Sequence, residues 1–180
     1  MEAPEVPLEQ SQEHIKEHAE HARESAEKWV MGVALTTAVL AAIAAIASLL
    51  AGQHINEGMI SQIRASDNWA YYQAKGIKAG MLESKMEMLT VEGKQPSAAD
   101  QAKAAQYAKD QEEISKEARM LEHESNEHIQ RHEKLAAAVT LFQIGIAISA
   151  IAVLTRKRFF WFVGLAFGCI GLVFLFLAYR

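Results

Sequence analysis

Hydrophobic and polar positions along this chain are segregated rather than mixed. Three stretches carry no charged side chain. The first, Val30 to Ala51, reads VMGVALTTAVLAAIAAIASLLA. The second, Leu135 to Leu154, reads LAAAVTLFQIGIAISAIAVL, and the third, Phe159 to Tyr179, reads FFWFVGLAFGCIGLVFLFLAY. Each holds roughly 20 residues, which at about 1.5 Å per residue spans about 30 Å, the hydrocarbon core of a bilayer. A helix inside a soluble domain rarely stays apolar on every face for that long. The pattern predicts an all-α integral membrane protein with transmembrane helices at 29–51, 135–154 and 159–179.

Between the first two runs lies a polar region, 52–134. Its turn signal falls at 91–97, where Gly93 and Pro96 sit close together and Ser97 precedes Asp100 with capping spacing. The region therefore reads as two long helices in an antiparallel hairpin, continuous with the flanking membrane helices. At about 1.5 Å per residue it would project about 50–60 Å from the bilayer.

Periodicity assigns faces to that hairpin. On the ascending helix Met59, Ile63, Ala70, Ala74, Ile77, Met81 and Met88 form one stripe at spacings of three, four or seven. On the descending helix Tyr107, Ile114, Ala118, Leu121, Ser125, His128, His132 and Leu135 form another. These two stripes are expected to pair as a coiled-coil-like seam. Ala65, Trp69, Tyr72, Gly76, Ala79 and Met86 lie on roughly the opposite face of the ascending helix. A two-helix hairpin buries one face of each helix, so Trp69, Tyr72, Gly76 and Ala79 are expected to contact another copy of the chain. In the third membrane helix Gly164 and Gly168 form a small-xxx-small pair, which lets helix backbones approach closely. They join the expected oligomer contact.

Residues 1–28 precede the first run as an acidic helix or flexible tail, with eight Glu against Lys16, Arg23 and Lys28. A secretory leader has a short basic start, so the first run reads as a retained membrane helix. The loop at 155–158 carries Arg156, Lys157 and Arg158. The positive-inside rule places that loop, and with it the N-terminus, in the cytoplasm, and the hairpin on the opposite side.

Composition narrows the partners. The net charge is −4, hydrophobic residues make up 51% and one cysteine, Cys169, sits in an apolar run. The polar region is slightly acidic and has no basic stripe, which argues against nucleic acid. A lone cysteine excludes an internal disulfide. The expected partners are membrane lipid and further copies of the chain. No small-molecule substrate and no cofactor are indicated, a metal ion being the one candidate.

Three segments resemble a known family: HIKEHAEHA at 14–22, ALTTAVLAAIAAIASLLAG at 34–52, and QHINEGMISQIRASDNWAYYQAKGIKAG at 53–80. Together they resemble the bacterial domain-of-unknown-function family 4337. The resemblance covers most of the chain, including the two C-terminal membrane helices. It implies a small bacterial membrane protein, hence an inner-membrane location, and it carries over no catalytic residue.

Candidate chemistry is sparse. No phosphate loop, Ser/His/Asp arrangement or carboxylate cleft is visible, so an enzyme is not expected. His14, His18 and His21 share one helical face and offer either a metal site or a solvated polar face. His128 and His132 lie on the descending stripe and offer a register-fixing polar layer, a pH-sensitive layer or a metal site. His54 lies at a similar depth but, by helical angle, points away from the expected seam. Within the spans Thr140 and Gln143 would line a pore if copies enclosed one. The absence of charge in every span removes the usual mark of a proton relay. The leading reading is a homo-oligomeric scaffold. A passive pore and a His-based metal or pH sensor are the alternatives.

Overall fold

The computed structural model describes the backbone of residues 8–180 and the side chains of residues 27–180. Its elements are three helices: α1 (Leu8–Val91), α2 (Ala98–Thr155) and α3 (Arg158–Leu177). No strand occurs among the described residues. All three helices contain a stretch long and apolar enough to cross a membrane, judged by length and composition. The helices gather into two compact units. One runs through Ser48 on α1 and takes in Ala136–Ala178, and the other is Leu49–Leu135.

In the apolar unit Leu40 and Ala44 of α1 pack with Ala138 and Phe142 of α2, flanked by Ile43, Ile146 and Leu175. The loop between α2 and α3 is two residues, Arg156 and Lys157, so Arg158 belongs to α3. Arg156 turns the chain with a φ of 54°. So short a connection folds α3 back on α2, and the buried face of α3 is glycine: Gly164, Gly168 and Gly171. A Cβ on Gly164 would stand 2.7 Å from the Gly145 carbonyl oxygen, closer than any side chain tolerates. A Cβ on Gly168 would meet Leu40. The small-xxx-small pair thus permits close approach inside the chain. The Trp161 indole N–H donates to Thr36 Oγ1 at 3.1 Å, linking α3 to α1.

The second unit is an antiparallel helical hairpin. Its turn is a Schellman ending. Gly93 sits at φ +74°, Lys94 N–H bonds to Leu89 O at 2.8 Å, and Gly93 N–H bonds to Thr90 O at 3.0 Å. Ser97 then caps α2, its Oγ accepting the Asp100 N–H at 3.1 Å.

The descending face of the seam is the one periodicity predicts: Ile114, Ala118, Ser125 and Leu135 are buried. The ascending face is the other one. Ala65 is fully buried and Ala51, Gly58 and Ser61 are buried, whereas Met59, Ile77 and Met81 are 56, 66 and 71% exposed. The physical reason is twofold. Residues spaced by seven, Ala51, Gly58, Ala65, Tyr72 and Ala79, are mostly small and let the two backbones come together. The α2 stripe also brings polar groups that need partners once buried. Ser125 Oγ donates to Gly58 O at 2.8 Å, and Gln111 Nε2 donates to Tyr72 O at 3.4 Å. Trp69 Nε1 donates to Glu122 at 2.8 Å, and Lys75 pairs with Asp110. The methionine stripe places no Trp or Lys side chain where Glu122 and Asp110 could pair with it.

Candidate functional site

Three side chains of the hairpin unit converge on one point. His54 and Glu57 lie one turn apart on α1, and His128 faces them from α2. His54 Nδ1 and His128 Nδ1 are 3.0 Å apart. Glu57 Oε2 lies 3.2 Å from His128 Nδ1 and 3.7 Å from His54 Nδ1. The two histidines are largely buried, with side chains 15% and 18% exposed, while Glu57 is 58% exposed. An open cleft beside them is lined by Glu57, Ile60, Ser61, Arg64, Glu124 and His128.

The seam builds this cluster. Gly58 and Ser125 set the approach, since a Cβ on Gly58 would already touch His128 Cβ, Ile129 Cγ1 and Ser125 O at 3.3 Å. His54 is one turn before Gly58 and His128 nearly one turn beyond Ser125, so both rings enter the same layer. One turn further along α2, His132 Nδ1–H donates to Ala51 O at 2.9 Å. That bond fixes the tautomer of neutral His132.

Electrostatics follow from the packing. At 3.0 Å two imidazoles can share one proton and cannot both be cations without strong repulsion. Burial first, and the neighbouring His128 second, hold His54 below the ordinary histidine pKa, with Glu57 opposing them. Arg131 and His132 act in the same direction as burial.

A seam on the methionine face turns His54 away from α2 and gives Glu57 no role. Placed on the face of Ala51, Gly58 and Ala65, His54 falls at a seam position. That heptad run of small residues is the signal that finds it.

His14, His18 and His21 lie outside the residues whose side chains are described. Trp69, Tyr72, Gly76 and Ala79, expected on an outer face, are half-buried, the first three against α2. Trp69 stacks edge-on against Tyr72 with ring centroids 5.5 Å apart, and a Cβ on Gly76 would meet Gln111. Thr140 and Gln143 are both exposed on α2. Thr140 Oγ1 donates to Ala136 O at 2.9 Å, and the Gln143 amide has no hydrogen-bond partner among the described residues. Lys75 is held above its ordinary pKa by its hydrogen bond to Asp110 and lies 5.2 and 5.3 Å from the rings of Tyr71 and Tyr107.

These features define an all-α protein with three helices able, by length and composition, to cross a membrane. The chain belongs to the family described as Domain of unknown function (DUF4337), whose family model matches residues 29–180. The segment at 14–22 precedes the matched region. No curated protein and no solved structure matches the chain.

Proposed function

We propose that this chain is a non-catalytic bacterial membrane protein that associates side by side with copies of itself into a helical scaffold. The observation that carries the reading is the exposed apolar stripe of the hairpin unit. Met59, Ile63, Ile77, Met81 and Met88 are each more than half exposed and recur at coiled-coil spacing. A row of large apolar side chains along one helix is what a partner helix covers, and scattered exposed apolar residues rarely keep such spacing. Copies inserted in one membrane with the same topology are related by an axis along the membrane normal. They therefore bring identical heights of α1 together, Ile63 against Ile63 and Ile77 against Ile77.

Light scattering on the detergent-solubilised chain tests this. A discrete multiple of 19.9 kDa is expected, falling toward the single-chain mass in the double variant Ile63→Glu/Ile77→Glu. A single-chain mass in the unaltered protein rejects the scaffold.

A second reading, a passive pore within such an assembly, rests on Gln143. An outward amide on an apolar span gains from a partner on another helix, by roughly 1 kcal/mol. With Thr140 one turn away it would form a polar strip. Conductance in reconstituted bilayers that changes in Gln143→Leu supports the pore. Silent bilayers containing an intact oligomer reject it.

A further inference from the structure

We propose that His54, Glu57 and His128 form a binding site for a divalent transition-metal ion of the zinc class. The proposal stands independently of self-association, because every donor comes from one chain.

The geometry of the donor atoms carries it. Nδ1 of His54, Nδ1 of His128 and Oε2 of Glu57 stand at the corners of a triangle with edges of 3.0, 3.2 and 3.7 Å. Ligands at about 2.0–2.1 Å from a tetrahedral ion are separated from one another by about 3.3 Å. The triangle thus has the size of one face of a zinc coordination tetrahedron, and the donors need little movement to close on an ion. Hydrogen bonding alone satisfies the cluster less fully. A proton between the two Nδ1 atoms bonds one ring to the other, and the carboxylate competes for it. A cation seated against the face formed by all three atoms gives each of them a bond at once.

The donor chemistry selects the ion. Two imidazoles and one carboxylate suit zinc and neighbouring first-row metals, whereas magnesium and calcium prefer an all-oxygen shell. Three protein ligands leave a fourth position for water, and the open cleft beside Glu57 supplies it. Glu124 and Arg64 line the same cleft and bring one negative and one positive side chain to it. The support is rigid, because the Gly58 approach and the Ser125 bond to Gly58 O set the distance between the helices that carry the ligands. His132 is held elsewhere, on Ala51 O, and is not assigned as a ligand.

The test is titration of the full-length, chelator-treated chain in detergent with Zn²⁺ by calorimetry and with Co²⁺ by visible absorption. His14, His18 and His21 are replaced by Ala in every sample, so that their face contributes nothing. One equivalent of metal per chain is expected, with the intense d–d bands of a tetrahedral Co²⁺ centre. Glu57→Gln keeps the size of an exposed side chain and should weaken binding about tenfold or more, as should His54→Ala. His123→Ala, whose side chain is 80% exposed and lies off the seam, should bind as the parent does. Helical circular dichroism shows whether each variant is folded. Absence of one-equivalent binding in the parent overturns the proposal. Unchanged affinity in folded Glu57→Gln does so as well, and leaves the three side chains as a hydrogen-bonded layer.

Discussion

The hydroxyl of Ser125, fully buried on α2, donates a 2.8 Å hydrogen bond to the carbonyl oxygen of Gly58 on α1. This bond joins the two helices beside the close approach at Gly58, one turn from the histidine pair. A Gly58→Leu change must push the helices apart, since even a Cβ there stands 3.3 Å from α2. Overpacking of that kind costs about 1–3 kcal/mol. Thermal unfolding in detergent, followed by circular dichroism, should register it as a lowered midpoint. Ser125→Ala should cost less, about 0.5–1.5 kcal/mol for one hydrogen bond.

Trp69 and the methionine stripe make opposite predictions. Trp69→Ala removes the indole that bonds Glu122 and packs on Tyr72, so it should lower the hairpin's stability while leaving the mass of the assembly unchanged. Ile63→Glu/Ile77→Glu should lower the mass and leave the melting midpoint of the separated chain near that of the parent. Light scattering and melting on the same samples separate the two. Dissociation caused by Trp69→Ala alone would place the contact on the wrong face.

Close packing of α3 predicts a third result. Gly164→Ile places branched carbon where the Gly145 carbonyl oxygen already stands 2.7 Å from an added Cβ. The expected cost is at least about 1–3 kcal/mol, as for other overpacked sites. A lowered thermal midpoint in detergent is the readout. Cys169→Ser, at an exposed position on the same helix, should leave the midpoint in place.

At the far end of the hairpin unit, Asp100 accepts two bonds from Lys85, at 2.9 and 3.0 Å, and one from Ser97. The Lys85 bonds first, and Ser97 second, hold its carboxyl below the ordinary aspartate pKa. A depressed carboxylate pKa stabilises the fold above the unfolded-state value, and the contribution is lost as pH falls through the folded-state value. Carboxyl-carbon NMR should therefore show Asp100 titrating low in the parent and closer to the ordinary range in Lys85→Ala. An unchanged pKa in that variant would mean the pair is not formed in solution.

Much of the fold was legible because its signals are strong and redundant. A run of roughly 20 residues without charge admits few structures other than a membrane-length helix. Gly93, Pro96 and Ser97 mark the hairpin turn, each through its own backbone chemistry. The α2 stripe was legible since Ile114, Leu121 and Leu135 stand out against charged neighbours. The α1 face was misassigned for a specific reason. Hydropathy weighs Met59, Ile77 and Met81 above Ala51, Gly58 and Ala65, yet close backbone approach is what the polar groups of α2 required. His54 and Glu57 were lost with that face, because a helical angle has meaning only relative to the correct seam.

The short side chains of Ala51, Gly58, Ser61 and Ala65 on the α1 side of the seam have a thermal consequence. Little apolar surface leaves water when such helices meet, and the heat capacity of unfolding scales with apolar surface exposed. The hairpin unit should therefore unfold with a smaller heat-capacity increment than a leucine-seamed pair of equal length. Its stability curve would be broad and shallow, changing little between cold and warm conditions.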